Sequence, residues 1–448
     1  MAIRNSSRLL GSASSRSSQS AGQRDNESLA GWEPVLAAEL WPRCVDAVRQ
    51  IAGALSPLPP AWSSAEASML AREARHASLG WGKAGFAVFF DYLGRTALLD
   101  GMELPAKEAL SEAAAAVTAT PMTVSLWGGL SGIGWGISRG VLKANDDVNV
   151  LGELDEALHA FLLHHPPCRE FDLIVGLVGV GIYALERMPS PTARECLELI
   201  VSHLAALAKR VPDGLTWLTP PRKRFPYGRF DLGVAHGVPG VLGFLGLVYE
   251  ANVSRELALE LLEGAVSWLR VQRAPSGLPW FFVPFLEPGV GAPPPRLAWC
   301  SGDPGIAAVL LATARRVGKA EWEALALEVG HAAASRRGED IGVDDECFCH
   351  GSAGLAHIFN RMFQATHDPT FLEATRYWFA RTLDFARPAE GFGGFGVLRL
   401  GNGETKIDPG FLMGATGTGL ALASAVASVE PTWDRLFLLS VPRCSGES

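Results

Sequence analysis

Two short stretches of the chain hold residue types that bind soft metal ions. Trp299-Cys300-Ser301-Gly302 offers one thiol, and Cys349-His350-Gly351 offers a second thiol beside an imidazole. Two thiolates and one imidazole make a donor set suited to zinc, and three protein ligands leave a fourth position open for water or substrate. A third stretch, Ala235-His236-Gly237, carries a histidine directly before a glycine. Taken alone, a cysteine beside glycine is commonly just a small buried residue, and a lone Cys-His pair is more often structural than ligating. Cys347, two residues before Cys349, is a rival ligand whose offset from the glycine suggests that it points elsewhere.

What changes the balance is the pattern in which these stretches recur. Gly-x-x-Gly followed by an apolar run appears at Gly82/Gly85, Gly129/Gly132, Gly176/Gly179, Gly237/Gly240, Gly302/Gly305, Gly351/Gly354 and Gly414/Gly417. Successive copies start 47, 47, 61, 65, 49 and 63 residues apart. Amphipathic segments with helical spacing lie between them: Leu154, Leu158, Phe161 and Leu162 share one face, and Leu257, Leu261, Ala265 and Trp268 another. Comparable segments occupy about 35–55, 103–117, 191–209, 319–335 and 369–386. A nearly uncharged helix must be covered all round, whereas an amphipathic one can face water. The expected fold is therefore all-α: an α/α toroid, a double ring of about seven inner and seven outer helices. All seven Gly-x-x-Gly turns then gather at one end, where inner-helix N-termini supply a positive potential. Cys300, Cys349 and His350 converge there as expected zinc ligands, and the helix ends help keep the thiols deprotonated.

Composition sets limits on the rest. A net charge of −8 argues against a nucleic-acid binder. Seven unevenly spaced cysteines fit a reducing, cytoplasmic setting better than a disulfide framework. The uncharged runs Leu232–Tyr249 and Pro409–Val429 reach membrane-spanning length, but both belong to the repeat and read as buried helices. Residues 1–24 combine Arg4, Arg8, Arg16 and Arg24 with many serines and no acid, so residues 1–30 read as a disordered tail. Residues 31–440 then form a single toroid domain. Pro/Gly-rich connections near 211–233, 274–298 and 386–409 read as small strand or loop insertions at the barrel mouth, the last a hairpin turning at Asn402-Gly403.

From about Ser78 to Leu422 the chain resembles the lanthipeptide synthetase C-like (lanthionine cyclase) family. The resemblance rests on SLGWGKAG, DLIVGLVG, AHGVPG, RLAWCSGDPG, CHGSAG and GFLMGATG, in the family's order. It implies an α/α toroid holding one zinc ion through Cys, Cys and His. It also implies the reaction: a peptide Cys thiol adds to dehydroalanine or dehydrobutyrine, giving a lanthionine or methyllanthionine thioether ring. By the same resemblance His236 delivers the proton that completes the addition, Asp172 orients it, and Arg296 stabilises the enolate oxygen. On their own, Asp172 also reads as a helix cap and Arg296 as an ion-pair partner. Ser301 departs from the family's usual bulky residue after the first zinc cysteine. The implied partners are a dehydrated precursor peptide (leader plus core), a separate dehydratase and an exporter. Three other readings compete: addition of glutathione to dehydroamino acids, a non-catalytic zinc scaffold, and a toroid glycosidase. The glycosidase would need paired carboxylates, and the turns offer Asp303 but no evident pair.

Overall fold

The computed structural model describes residues 31–58, 69–139, 147–164, 170–338, 341–399 and 404–443. The expected tail, residues 1–30, and the turn at Asn402-Gly403 lie outside them.

Each Gly-x-x-Gly opens a helix. The seven are α3 (Lys83–Arg95), α5 (Leu130–Ser138), α7 (Leu177–Glu186), α9 (Val238–Glu250), α11 (Asp303–Val317), α13 (Ser352–Thr366) and α15 (Ala415–Val426). Each packs on the next, and α15 closes the ring against α3. Around them lie α1 (Trp41–Leu55), α4 (Glu103–Ala119), α6 (Asp147–His164), α8 (Pro191–Leu207), α10 (Arg255–Val271), α12 (Ala320–Ser335) and α14 (Pro369–Asp384). The expected two rings are present, with one further helix, α2 (Met69–Ala77), against α4 and α3. Burial follows composition: all twelve residues of α15 are buried, whereas α10 buries one stripe that includes Leu261, Ala265 and Trp268. No helix among the described residues is long and apolar enough to cross a membrane.

Both glycines of the motif are required by close approach. At Gly354 an added Cβ would collide with the carbonyl of Phe348, and at Gly82 with that of His76, each six residues back. The same clash recurs at the other turns. The chain folds back so tightly before each inner helix that hydrogen alone fits.

Backbone hydrogen bonds then join turn to turn. Gly80 N–H donates to Trp127 O (2.8 Å), Ala235 to Cys300 (3.2 Å), Cys300 to Cys349 (3.2 Å), Cys349 to Leu412 (3.0 Å), and Leu412 back to Gly80 (3.2 Å). Leu173 N–H reaches Ala235 O at 3.2 Å. At that third turn the N–H of Ile174 instead donates to the Asp172 carboxylate.

The axis is filled from the C-terminal side. A short 3-10 segment, Thr432–Phe437, places the Phe437 ring 4.2 Å from Phe348, 4.8 Å from Trp127 and 4.9 Å from Trp299, centroid to centroid. Asp434 is fully buried, pairing with His357 (2.8 Å) and Arg361 (2.5 Å), whose charge holds its carboxyl below the usual range despite burial. The three insertions carry small antiparallel pairs. β1 (Lys209–Val211) pairs with β2 (Gly214–Thr216), and β5 (Val397–Arg399) with β6 (Thr405–Ile407). β3 (Phe230–Asp231) pairs with β4 (Phe285–Leu286), tying the first insertion to the second.

Phe437→Ala should remove the ring on which the turn aromatics Phe348, Trp127, Trp299 and Phe411 converge. We expect a loss of about 3–5 kcal/mol in denaturant unfolding, as for other large-to-small core changes. A loss below about 1 kcal/mol would show that the axis is not part of the core.

Candidate metal centre and its histidine

Cys300 and Cys349 stand two residues before the first glycine of adjacent turns, and His350 and His236 stand one residue before it. The bond from Cys300 N–H to Cys349 O holds the two thiol-bearing turns side by side. As a result the Cys300 and Cys349 sulfurs and a His350 ring nitrogen lie within 4.8 Å of one another. That spacing suits ligands about 2.0–2.3 Å from a single tetrahedral zinc ion, so the donor set fits the metal. Cys349 is buried and Cys300 partly so. The Cys300 thiol is held well below its ordinary range, chiefly because Cys349 donates a hydrogen bond to it; burial opposes this, and His350 and Arg296 add to it.

Cys347 belongs to a second, overlapping group. Its sulfur lies within 4.8 Å of ligand atoms of Asp345 and His350. It accepts the His350 backbone N–H at 3.4 Å, and burial pushes its thiol well up. It serves the turn as an acceptor. Cys44 and Cys196 are buried packing residues.

Asp172 and His236 come together across neighbouring turns. His236 Nδ1 is 2.7 Å from Asp172 Oδ2, and the other carboxylate oxygen accepts the N–H groups of Ile174 (2.9 Å) and Val175 (2.7 Å). Asp172 is not a helix cap: the N-cap of α7 is Gly176, with no side-chain hydrogen bond, and the Asp172 carboxylate instead braces the turn before that helix while it holds the imidazole. The carboxylate is 5% exposed while the imidazole is 50% exposed, so a rigid buried acid aims a half-open base. Burial alone would lower the His236 pKa, but the hydrogen bond and charge of Asp172, with Asp231 and Cys300, raise it above the ordinary value. Arg296 is exposed and makes no ion pair among the described residues, although its charge reaches both Cys300 and Cys349. Asp303 is committed elsewhere: its buried carboxylate accepts the N–H groups of Phe281 (2.9 Å) and Phe282 (3.1 Å), and burial lifts its pKa to about 6.

Three further acids shape the turns. Asp345 accepts the Cys347 N–H (3.0 Å), Asp408 accepts that of Gly410 (2.8 Å), and Asp231 accepts the Thr219 hydroxyl (2.7 Å). Each lies six residues before a motif glycine, a spacing visible in the sequence once the repeat is seen.

The chain is thus a closed α/α toroid that gathers two thiols and an imidazole on its turns, with a carboxylate-bound histidine on the next turn. A sequence model of the family "Lanthionine synthetase C-like protein" matches residues 73–438, and the chain belongs to that family. The nisin biosynthesis protein NisC of Lactococcus lactis subsp. lactis is 23% identical over 355 residues, covering 71% of this chain and 78% of NisC. A solved structure of a nisin cyclase superposes with a TM-score of 0.67 at 20% identity, covering 82% of this chain and 92% of that one.

The Asp172–His236 pair has a direct pH signature. Because the His236 pKa is raised in the folded state, the pair stabilises the protein below the ordinary imidazole pKa, and that contribution fades as pH rises through the folded value. Asp172→Asn keeps an acceptor for Ile174 and Val175 but removes the charge. An NMR titration of His236 should move to lower pH in this variant, and the stability lost should be larger in mild acid than in mild base. An unmoved titration would separate the two residues.

Proposed function

We propose that this chain is a zinc-dependent lanthionine cyclase. It joins the Cys thiols of a dehydrated precursor peptide to dehydroalanine or dehydrobutyrine, forming thioether rings. The observation that carries the reading is the juxtaposition, in a chain of this family, of the Cys300–Cys349–His350 cluster with the Asp172–His236 pair. Cys300, Cys349 and His350 would hold the zinc ion. When bound, the metal supplies a Lewis-acid position that favours the thiolate form of a substrate cysteine near neutral pH.

The protein's own groups account for the rest of the balance. The sulfur lone pair forms a bond to the β-carbon of the dehydroamino acid, and the π electrons move onto the carbonyl as an enolate. Arg296, exposed and free of ion pairs among the described residues, offers its positive charge to that oxygen. The enolate α-carbon then needs one proton. His236 is suited to give it, because Asp172 holds Nδ1, leaves Nε2 as the free ring nitrogen, and favours the protonated imidazole. The proton lost when the thiol becomes a thiolate returns to His236 by way of solvent, so no oxidant or second substrate is consumed and the peptide mass is unchanged. We assign the whole of residues 31–440 to this one cyclase domain. We place it in the cytoplasm beside a separate dehydratase and an exporter, acting on a precursor of leader plus core.

Elemental analysis should find about one zinc per chain, lost in Cys300→Ala, Cys349→Ala and His350→Ala and retained in Cys347→Ala. His236→Ala should keep zinc and fold. Alkylation of the thiols left after incubation with dehydrated peptide should show ring closure slowed by roughly 10²–10⁴-fold in it, the usual weight of general acid–base catalysis. Full zinc in Cys300→Ala would end the ligand assignment. Unaltered thiol consumption in His236→Ala would end the catalytic one, and no thiol consumption by the zinc-loaded wild type would leave only a scaffold.

A further inference from the structure

The first insertion carries a feature that the proposed chemistry does not use. Between Pro220 and Arg229 the sequence reads PPRKRFPYGR: four cations and no acid, in a protein of net charge −8. The structure fixes where this loop stands. Thr219 and Arg229 exchange backbone hydrogen bonds at its base (2.9 and 3.2 Å), and Arg222 and Phe225 do so at its tip (3.1 and 3.0 Å). Lys223 and Arg224 are therefore the two corner residues of a tight turn. Arg229 stiffens the loop, its guanidinium lying 4.4 Å from the Phe225 ring and 4.6 Å from that of Phe285 on β4.

Two contacts anchor the loop to the site. Arg222 pairs with Glu170 at 2.8 Å, two residues before Asp172, and Arg229 pairs with Asp231 at 2.9 Å, five residues before His236. The loop is thus tied by ion pairs to the two turns that build the Asp172–His236 pair. Arg222 and Arg229 have partners, but Lys223 and Arg224 are exposed and have no partner among the described residues. Next to them Tyr227 is 75% exposed. Like charges held at the corners of a stiffened turn repel one another, and an external anion relieves that repulsion. An ordered, exposed tyrosine adds contact area at little entropic cost.

We propose that the Lys223–Arg224 turn is a docking point for an acidic segment of the peptide to be cyclised. The proposal rests on the reading of the chain as a cyclase of peptides and names one feature of its substrate. A peptide held there by charge is tethered beside His236, which raises the local concentration of its reactive part without any contact at the metal centre. An anionic membrane surface is the less suited occupant. A membrane-lying element presents a broad apolar face beside its cations, whereas this turn presents one tyrosine.

The test uses the full-length zinc-loaded protein and two labelled synthetic peptides of equal length. One carries a run of about four Asp and Glu residues, the other Asn and Gln in their place. Both have Ser for Cys and Ala for dehydroalanine, so neither can react. In anisotropy titrations at low salt, the acidic peptide should bind roughly 5- to 10-fold more tightly, the scale expected of a few exposed charge pairs. High salt should abolish the preference, as should the double variant Lys223→Glu/Arg224→Glu. The distant reversal Lys107→Glu on α4 should preserve it. Equal binding of the two peptides overturns the proposal, as does a preference that survives the double variant. Equal peptide binding with loss of phosphatidylglycerol-vesicle binding in the double variant would give the turn to a membrane instead. Because the peptides are unreactive, this outcome is read separately from zinc content and thiol consumption, which judge the cyclase reading itself.

Discussion

The structure depends on a ring of backbone hydrogen bonds that passes from turn to turn around the mouth of the barrel. Cys300 N–H to Cys349 O is one member of that ring. It does two things at once: it joins inner helices α11 and α13, and it sets two thiol-bearing residues side by side. The glycines permit it, since a Cβ at either motif position would meet the carbonyl six residues back. The cluster of two thiols and an imidazole is therefore not placed on a finished scaffold. The same short bonds that close the scaffold create it.

This coupling explains why so much was legible in the sequence. Seven glycine pairs at roughly regular spacing reveal seven equivalent turns, and equivalence alone brings Cys300, Cys349, His350 and His236 to one end. The repeat also has the right helix inventory, because uncharged runs such as Ala415–Val426 admit no exposed face. What stayed illegible lacks a period. Helix α2 lies outside the repeat, and the two-residue pairing of β3 with β4 joins residues of different insertions, Phe230 with Leu286 and Asp231 with Phe285, with no local signature. Thr432–Phe437 is a short mixed segment, and nothing in its composition announces that Phe437 reaches the barrel axis. The pairing of Asp172 with His236 followed from the resemblance alone; its physical basis, an acid fixed by the Ile174 and Val175 N–H groups, appears only in three dimensions.

The ring departs from its pattern at the third turn: among the described residues no backbone bond leads from Trp127 to it, and Leu173 rather than Ile174 reaches Ala235 O. At the third turn the Ile174 N–H leaves the circuit to bind Asp172 Oδ1, and the freed geometry points Oδ2 at His236. A general scaffold is locally altered to aim a single imidazole. Opposing demands are met within a few residues: the carboxylate must be buried to be rigid, and the imidazole must be open to be used. Asp303 shows the alternative fate of a turn carboxylate, spent wholly on pinning Phe281 and Phe282 and so raised by burial toward neutrality.

The plug at the axis bears on how the chain becomes a protein on the ribosome. In a closed ring α3 finds its neighbour α15 only after the five inner helices between them have been made. The aromatic side chains of Trp127, Trp299 and Phe348 wait still longer, for Phe437. Until that residue emerges from the exit tunnel, several uncharged helices and their aromatic turns stand exposed together. Closure of the ring must then follow the synthesis of Phe437, and a ring not yet closed presents apolar surface to its surroundings.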